Sequence, residues 1–553
     1  PLNRSKQIEV KAYLDSLNSE ESIAFLPWTN LNNEAFLTLQ YDYPANHYGR
    51  FKRVIWGGAS KASMFEPELF DTIKCIYLPP LRDAEAKLRE GRTSRLARLL
   101  KNMMRKTAEA LKDKGELHSI EKKVKKFNDD LAKDPEESIS IANKLIKDSL
   151  AEAMGNVFSQ DTLIQFSEVD LNRIVENLRL LFFPNVQTST TSDKFRNLDE
   201  NSLGYNNLLY LATVLAELTI DDAEKTYLKI LLIEEPEAHL HPQLQIRLLK
   251  YLEKTAKEKN VQVIVTTHST VLASSVSIDT LIHLSNTSPS VFVATPINKC
   301  GLSLESTAFV NRWLDATKSN LLFAKGVILV EGIAEAMLLP VFANSVLREY
   351  NSDKLEPKKL PEKLEDAGVS VINMNGIYFK HFMQLFCDLE KKNSLNIPIR
   401  CAGITDNDPQ PKESQPTPSL KISGSNHALK LIPIVKKSTY TRLYANELKT
   451  FEYDLSFESD NMKLMLSIAK TLIDTEGDIL KKFIEYENKD WKVGTSEDEK
   501  KETATFLLKH IDKGLFAQSL ANHLVKNNID LNIPEYIRRA IIWACGGEPN
   551  DTQ

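Results

Sequence analysis

The sequence predicts an α/β protein in which two strand-turn-helix modules follow a long helical stretch. Three observations carry this expectation. Ile230 to Ile233 is an unbroken apolar run that stops at Glu234, Glu235 and Pro236, the signature of a short strand buried on both faces of a parallel sheet. Gly326 to Glu331 (GVILVE) repeats the pattern, again ending in a carboxylate. Between them and the amino-terminal strands, apolar residues from Arg82 to Phe183 recur at helical spacing.

At 553 residues the chain is too long for one ordinary core, and two or three domains are expected. With 70 Lys and Arg against 75 Asp and Glu, the formal charge is -5, so any contact with nucleic acid must use a local patch. The five cysteines (Cys75, Cys300, Cys387, Cys401, Cys545) form no C-x-x-C, which argues against a disulfide framework or a thiolate zinc site and fits a reducing cytoplasm. No apolar run is long enough to cross a bilayer and no signal-like amino terminus is visible. A soluble cytoplasmic protein is expected.

Residues 1 to about 85 read as β-rich, with strands at Ala35–Tyr43 and Thr72–Leu78, the second stopped by Pro79 and Pro80. Leu96, Leu99, Leu100 and Met103 then fall on one helical face, and Arg82 to Lys126 carries 15 basic against 7 acidic residues. A surface for a nucleic-acid backbone is one reading. The ordinary one, an amphipathic helical pair for packing or dimerisation, is preferred. Helical patterning continues from Ile139 to Phe183, and the polar tract Gln187–Asp193 reads as a loop.

Asn201 to Ala212 opens a helix through Ser202, Leu203 and Gly204, and free N–H groups at such a positive helix end suit a phosphate. Ser and Gly are also ordinary caps. Glu234 and Glu235 leave the carboxyl end of their strand, where open α/β sheets place ligands. Gln245–Lys257 reads as a helix and Val261–Thr267 as a buried strand ending at His268.

In that order, Ser202 to Gly204, Ile230 to Glu234, Glu235 and His268 resemble the second half of an ABC-type ATPase head. The form E-E-P-E-x-x-L-H-P resembles the RecF, SMC and OLD branch. The resemblance implies that Ser202 and Gly204 form the signature turn, Glu234 holds Mg²⁺, Glu235 is the catalytic base and His268 meets the γ-phosphate. It implies ATP held between two protomers, with Glu237 to His241 facing the second head. No G-x-x-x-x-G-K-[ST] occurs. The family places that loop ahead of the strands that open this sequence, so we expect a preceding segment to supply it and the chain as written to bind ATP poorly.

Ile282 to Ala294 reads as closing strands of the head and Ser306 to Phe323 as a connecting helix. After the strand ending at Glu331, Glu335 lies one turn into a helix and can face the same point. Ser370–Asn375 before Gly376, and Pro398–Thr405 before Asp406, Asn407 and Asp408, repeat the strand-turn pattern. Asp-x-Asp in extended chain turns both carboxylates to one side, though it is also good turn chemistry. Strand-Glu, helix-Glu and strand-D-x-D in this order resemble a Toprim domain, and E-G-x-x-E followed by D-N-D is similar to the OLD nucleases, in which a Toprim follows an ABC head. The resemblance runs from Leu78–Ala84 (LPPLRDA) to Lys513. It implies Glu452 in Thr450–Leu455 (TFEYDL) as a further ligand, with Thr450 as a helper and Asp454 less secure, and Lys513 as a catalytic ammonium.

The expected division is 1–85, the first part of the head; 86–195, a helical insertion implied to dimerise; 196–305, the rest of the head; 306–320, a connector; and 321–553, a Toprim domain with carboxyl-terminal helices. The resemblance implies an ATPase-coupled DNA endonuclease in which Glu331, Glu335, Asp406, Asp408 and Glu452 bind two Mg²⁺ or Mn²⁺ ions, hard cations suited to an all-oxygen donor set. It implies a homodimer or higher oligomer and a role in defence against bacteriophage, as in Gabija nucleases and retron-associated OLD effectors. Whether a helicase or a retron RNA/DNA partners it stays open. The alternative is a RecF- or SMC-like DNA-binding clamp with a non-catalytic Toprim; a Toprim topoisomerase or primase is disfavoured, since the ABC head leads the chain and no companion domain for strand passage or polymerisation is apparent.

Overall fold

The computed structural model describes residues 7–32, 34–43, 49–61, 68–80, 84–133, 138–154, 162, 164, 170–182, 195–219, 226–288, 291–352, 354, 359–390, 394–407, 426–473, 477–491 and 496–549. The chain divides into two units, Pro1–Thr267 and His268–Gln553.

In the first unit, β1 (Gln7–Leu14), β2 (Ala35–Asp42) and β3 (Lys52–Gly57) form an antiparallel sheet, and β4 (Ile73–Leu78), β5 (Leu228–Glu234) and β6 (Val261–Thr266) form a parallel one in the order β4-β5-β6. The apolar run of β5 buries Leu231 and Ile233. They pack with Leu78, Val261 and the Leu203–Thr219 helix, whose Leu211, Val214, Leu215 and Leu218 are buried. The helix Pro242–Lys259 begins with Pro at a first-turn position, where its missing N–H costs nothing, and ends on Asn260 in the left-handed conformation.

The helical stretch contains Arg95–Lys112, Ser119–Lys133, Ser138–Met154 and Leu171–Glu176. Arg95 pairs with the buried Glu217 at 3.1 Å, and Lys101 pairs with Glu176 at 2.6 Å, tying the first of these helices to its neighbours. Of its expected apolar face, Leu96, Leu99 and Leu100 are half-buried but Met103 is 60% exposed. Ala97 is the fully buried residue, because only a small side chain fits that close contact. Within the span expected to be helical, Ile139 to Phe183, the described helices are Ser138–Met154 and Leu171–Glu176, and the tract Gln187–Asp193 lies outside the described residues.

The second unit begins with the antiparallel pair β7 (Ile282–Ser288) and β8 (Val291–Pro296). The expected connecting helix is broken. Leu304–Trp313 is α-helical, and a 3₁₀ turn follows at Lys318–Leu322. The break comes from Asp315, whose carboxylate accepts from the Thr317 and Lys318 N–H groups and pairs with the Lys318 ammonium at 2.5 Å, a local turn that outcompetes the helix.

Four parallel strands follow: β9 (Gly326–Val330), β10 (Val369–Asn373), β11 (Arg400–Thr405) and β12 (Thr441–Ala445), in the order β10-β9-β11-β12. β9 is central and buried along its length, which is why it reads as a continuous apolar run. Val327 and Leu329 pack on the Phe379–Met383 side. Ile328 and Val330 face the helices Ile333–Ser352, Lys513–Asn527 and Glu535–Ala544. Gly326 is required here, since a Cβ would stand 2.2 Å from the Ala544 carbonyl oxygen. Among the described residues no helix is long and apolar enough to cross a membrane.

Candidate active site

Parallel register brings the carboxyl ends of the second unit's strands to one edge. Val330 pairs with Asn373, Ile404 with Val330, and Thr405 with Ala445, so Glu331, Asp406 and Asn446 each follow a strand end there. Glu331 is held from three sides. One of its oxygens accepts from the Thr405 hydroxyl, from the Asp406 N–H at 3.0 Å and from Asn426 Nδ2 at 3.1 Å. Glu335 lies in the first turn of Ile333–Ser352 and is buried, as its helical spacing from Glu331 predicts. A negative charge suits that helix end.

Burial, with Glu452 and Glu331 nearby, nonetheless pushes the Glu335 carboxyl up to about 7. Burial raises Asp406 strongly as well, reinforced by Glu331, Glu335 and Glu452. The charges of Glu331 and Glu452 thus act on both Glu335 and Asp406. Asp408 lies outside the described residues.

Glu452 sits in the first turn of the short helix Phe451–Phe457, almost wholly buried, and Thr450 Oγ1 donates to it at 3.4 Å. Its main partner is the Lys513 ammonium at 2.8 Å, placed at the start of Lys513–Asn527. Desolvation pulls the Lys513 pKa down, but Glu452, Asp406 and Glu335 outweigh it and the ammonium is held above its ordinary value. Asp454 does something else. Its carboxylate accepts from the Glu447, Leu448 and Lys449 N–H groups at 2.9 to 3.0 Å and so fixes the loop before the helix, while burial pushes its carboxyl up to about 6.

Two asparagines complete the network. Asn426 Nδ2 donates to Glu331, to Thr405 Oγ1 at 2.8 Å and to the Asp406 carbonyl at 3.0 Å. Asn446 accepts from the Asn407 N–H at 2.6 Å and donates to Asp406 Oδ1 at 3.3 Å. The sequence reading missed both. Asn446 carried a usable signal, because it follows a strand whose neighbours end in carboxylates; Asn426 follows a stretch with no pattern, and carried none.

All donors at this edge are hard oxygens, which fits Mg²⁺ or Mn²⁺ in kind. Among the described residues no group of three or more His, Cys, Asp or Glu side chains stands ready to hold an ion. Lys513 pairs with Glu452, and amide and hydroxyl donors are on Glu331 and Asp406.

In the first unit, Glu234 ends β5 and the hydroxyl of Tyr77 on β4 bonds to it. Glu235 has a positive φ of 42°, its N–H donates to the Thr266 carbonyl at 2.9 Å, and it starts a tight turn in which Ala238 N–H bonds back to its carbonyl. In the following loop Thr267 Oγ1 donates to Glu237 at 2.6 Å. Ser202 Oγ accepts from the Tyr205 N–H at 3.4 Å, an ordinary capping contact. Gly204 has a packing reason, since a Cβ would stand 2.4 Å from the His239 carbonyl oxygen. Gly204→Ala should therefore destabilise the nucleotide-free protein by roughly 1–3 kcal/mol through overpacking. An unchanged thermal melt would return this glycine to phosphate contact alone. His268 lies two residues past β6 and opens the second unit.

Residues 60–273 match the AAA ATPase domain family, and residues 322–408 match the Overcoming lysogenization defect protein-like TOPRIM domain. The chain joins an AAA-type ATPase domain to an OLD-like Toprim domain. Over 387 residues it is 23% identical to endonuclease GajA of Bacillus cereus (strain HuB5-5), covering 63% of this chain and 54% of that protein. It thus spans about half the length of the curated relative it matches. Among solved structures, the C-terminal region of the Xanthomonas campestris pv. campestris OLD protein is similar at 21% identity and a TM-score of 0.26, covering 40% of this chain and 95% of that one. The Smc head domain with an extended coiled coil, bound to the C-terminal domain of ScpA derived from Pyrococcus furiosus, is similar at 16% identity and a TM-score of 0.28, covering 53% and 78%. The matched Toprim stretch contains Glu331, Glu335 and Asp406, while Glu452 and Lys513 lie beyond it and are brought to the Toprim edge by the fold.

Proposed function

We propose that this chain is a divalent-metal-dependent endonuclease acting on DNA, with its ATPase domain governing use of the Toprim site. The observation that carries this reading is the gathering of Glu331, Asp406 and the buried Glu335 and Glu452 at one edge, with the Lys513 ammonium on Glu452. Packing carboxylates together costs stability that a bound cation returns. Glu331, Glu335, Asp406, Asp408 and Glu452 would hold two Mg²⁺ or Mn²⁺ ions, which when bound activate water and stabilise the leaving oxygen of a phosphodiester.

The chain's own residues supply the rest. Thr405, Asn426 and the Asp406 N–H all donate to one and the same oxygen of Glu331 and so fix that carboxylate. Lys513 balances the unliganded carboxylates, and beside a substrate phosphate its ammonium would stabilise developing negative charge. Lys513→Ala should slow cleavage by roughly 10²-fold, as loss of one such donor does. Mn²⁺ binding should persist or tighten, because the competing ammonium on Glu452 is gone. Unchanged cleavage would make Lys513 a structural counter-charge only.

In the ATPase domain, Glu234 would hold the Mg²⁺ of ATP, Glu235 would orient or deprotonate the attacking water, and Ser202, Gly204 and His268 would meet phosphate oxygens. On this reading the working form is a homodimer or larger assembly of cytoplasmic chains, and the setting is defence against bacteriophage.

A second reading, a DNA-binding ATPase clamp with a silent Toprim, draws on the lack of a ready three-residue metal group among the described residues. The buried, mutually repelling Glu335 and Asp406 weigh against it. A site with no cation to bind would gain stability by replacing either carboxylate with a neutral residue.

A further inference from the structure

The segment 446–450, between β12 and the helix Phe451–Phe457, belongs to neither element, yet both of its ends are tied to candidate metal ligands. At the first end the buried Asn446 meets the strand end of β11 at three points. Its N–H donates to the Thr405 carbonyl at 3.4 Å, its Oδ1 accepts from the Asn407 N–H at 2.6 Å, and its Nδ2 donates to Asp406 Oδ1 at 3.3 Å. The Asn407 side chain adds a fourth contact, donating to the Glu447 carbonyl at 3.5 Å. At the second end, Thr450 precedes the helix that carries Glu452, and its hydroxyl donates to that carboxylate at 3.4 Å.

Asp454 joins the two ends. It sits in the same short helix as Glu452, its own N–H donates to the Thr450 carbonyl at 2.9 Å, and its buried carboxylate reaches back to the N–H groups of Glu447, Leu448 and Lys449. Burying a carboxylate is costly, and Glu447 is exposed, so water could serve amides here at less cost. What the carboxylate adds is a fixed shape for three consecutive residues, directly after the one that grips Asp406.

We propose that Asn446 and Asp454 are positioning residues of the Toprim site that work as one bracket. Asp454 fixes 447–449 against the helix of Glu452, Asn446 carries that constraint to Asp406 and Asn407, and the two ligand-bearing elements are held at the spacing in which they meet a divalent cation. The inference rests on the metal-site reading above, and it gives Asp454 a role that needs no contact with the ion. Hydrogen bonds behind metal ligands orient them, and their loss costs about 10- to 100-fold in metal affinity. Residues that act through one network have effects that do not add.

The test is Mn²⁺ binding to the full chain without DNA or nucleotide, followed by electron paramagnetic resonance and counted at the sites that a Glu335→Ala, Asp406→Ala double variant lacks. Asn446→Ala and Asp454→Asn should each weaken Mn²⁺ binding about 10-fold or more, and the two together no more than the larger single loss. Phe483→Leu, a change in the buried core away from the segment, should lower the melting temperature and leave Mn²⁺ affinity unchanged. Asn446→Ala decides the claim by itself, because it leaves Asp454 and its three N–H bonds in place. Parental affinity in that variant would overturn the bracket and leave the metal site standing, and with a loss in Asp454→Asn alone it would make Asp454 a ligand. Losses that multiply in the double variant would make the two residues independent and overturn the bracket as well. So would an equal loss in Phe483→Leu, which would reduce the effect to general loosening. A parent that binds no Mn²⁺ would remove the metal-site reading and this inference together.

Discussion

Asp406→Ala should lower DNA cleavage by more than roughly 10³-fold without unfolding the chain, since loss of even one charge-stabilising donor commonly costs 10²–10³. The structure explains why folding survives. Asp406 holds its neighbours through its backbone: its N–H donates to Glu331 and its carbonyl accepts from Asn426, and alanine keeps both. Among the described residues the carboxylate's own hydrogen bond is the long one from Asn446 at 3.3 Å. Removing a group whose ionisation is strongly opposed by burial and by Glu331, Glu335 and Glu452 relieves repulsion rather than adding it. The metal-free melting temperature near pH 8 should therefore be equal to or above that of the parent. Plasmid cleavage measured beside a thermal melt checks both parts, and a variant that still cuts would remove Asp406 from the reaction.

The second large effect is on stability against pH. Burial, then the charges of Glu452 and Glu331, raise Glu335 from its ordinary 4.5 to about 7. Because the folded value lies above the unfolded one, its stabilising contribution is complete below about pH 4.5 and is lost as pH rises through about 7. At about 1.4 kcal/mol per pH unit, a shift of this size amounts to roughly 3 kcal/mol for Glu335. Asp406 and Asp454 are raised too and act in the same direction. Metal-free protein should melt higher at pH 5.5 than at pH 8. Mg²⁺ or Mn²⁺ should restore stability at pH 8, and Glu335→Gln should flatten the profile. A flat parental profile would show that these carboxyls are not pressed together.

Much of this was legible because buried parallel strands cannot disguise themselves. β5 and β9 carry apolar runs and β11 is buried from Cys401 to Thr405, and Glu234, Glu331 and Asp406 stand at their ends. Glu335 was readable from helical spacing. β12 was missed because it carries Thr441 and Arg442 at the sheet edge, where the Arg442 guanidinium lies 4.1 Å from the centre of the Trp543 ring, a partner about a hundred residues away. β1 and β3 were missed as individual strands because most of their side chains are exposed or half-buried, leaving little patterning to find.

Other features needed the fold. Asp454 looked like a less secure companion of Glu452, but positions two apart on a helix do not face each other, and it turns to the 447–449 amides instead. Gly204 is expected at a phosphate, and the fold adds a packing reason, a carbonyl 35 positions away in the sequence. Asn426 joins the site only because the chain returns to β11 after a stretch with no periodicity.

The central claim, that the Toprim carboxylates bind divalent cations and cut DNA with them, is tested most directly by incubating supercoiled and linear DNA with the protein in Mn²⁺, in Mg²⁺ and in excess chelator. The account predicts cutting that requires the cation and vanishes in a Glu335→Ala, Asp406→Ala double variant. Cutting that continues in chelator, or in the double variant with cation present, would contradict it.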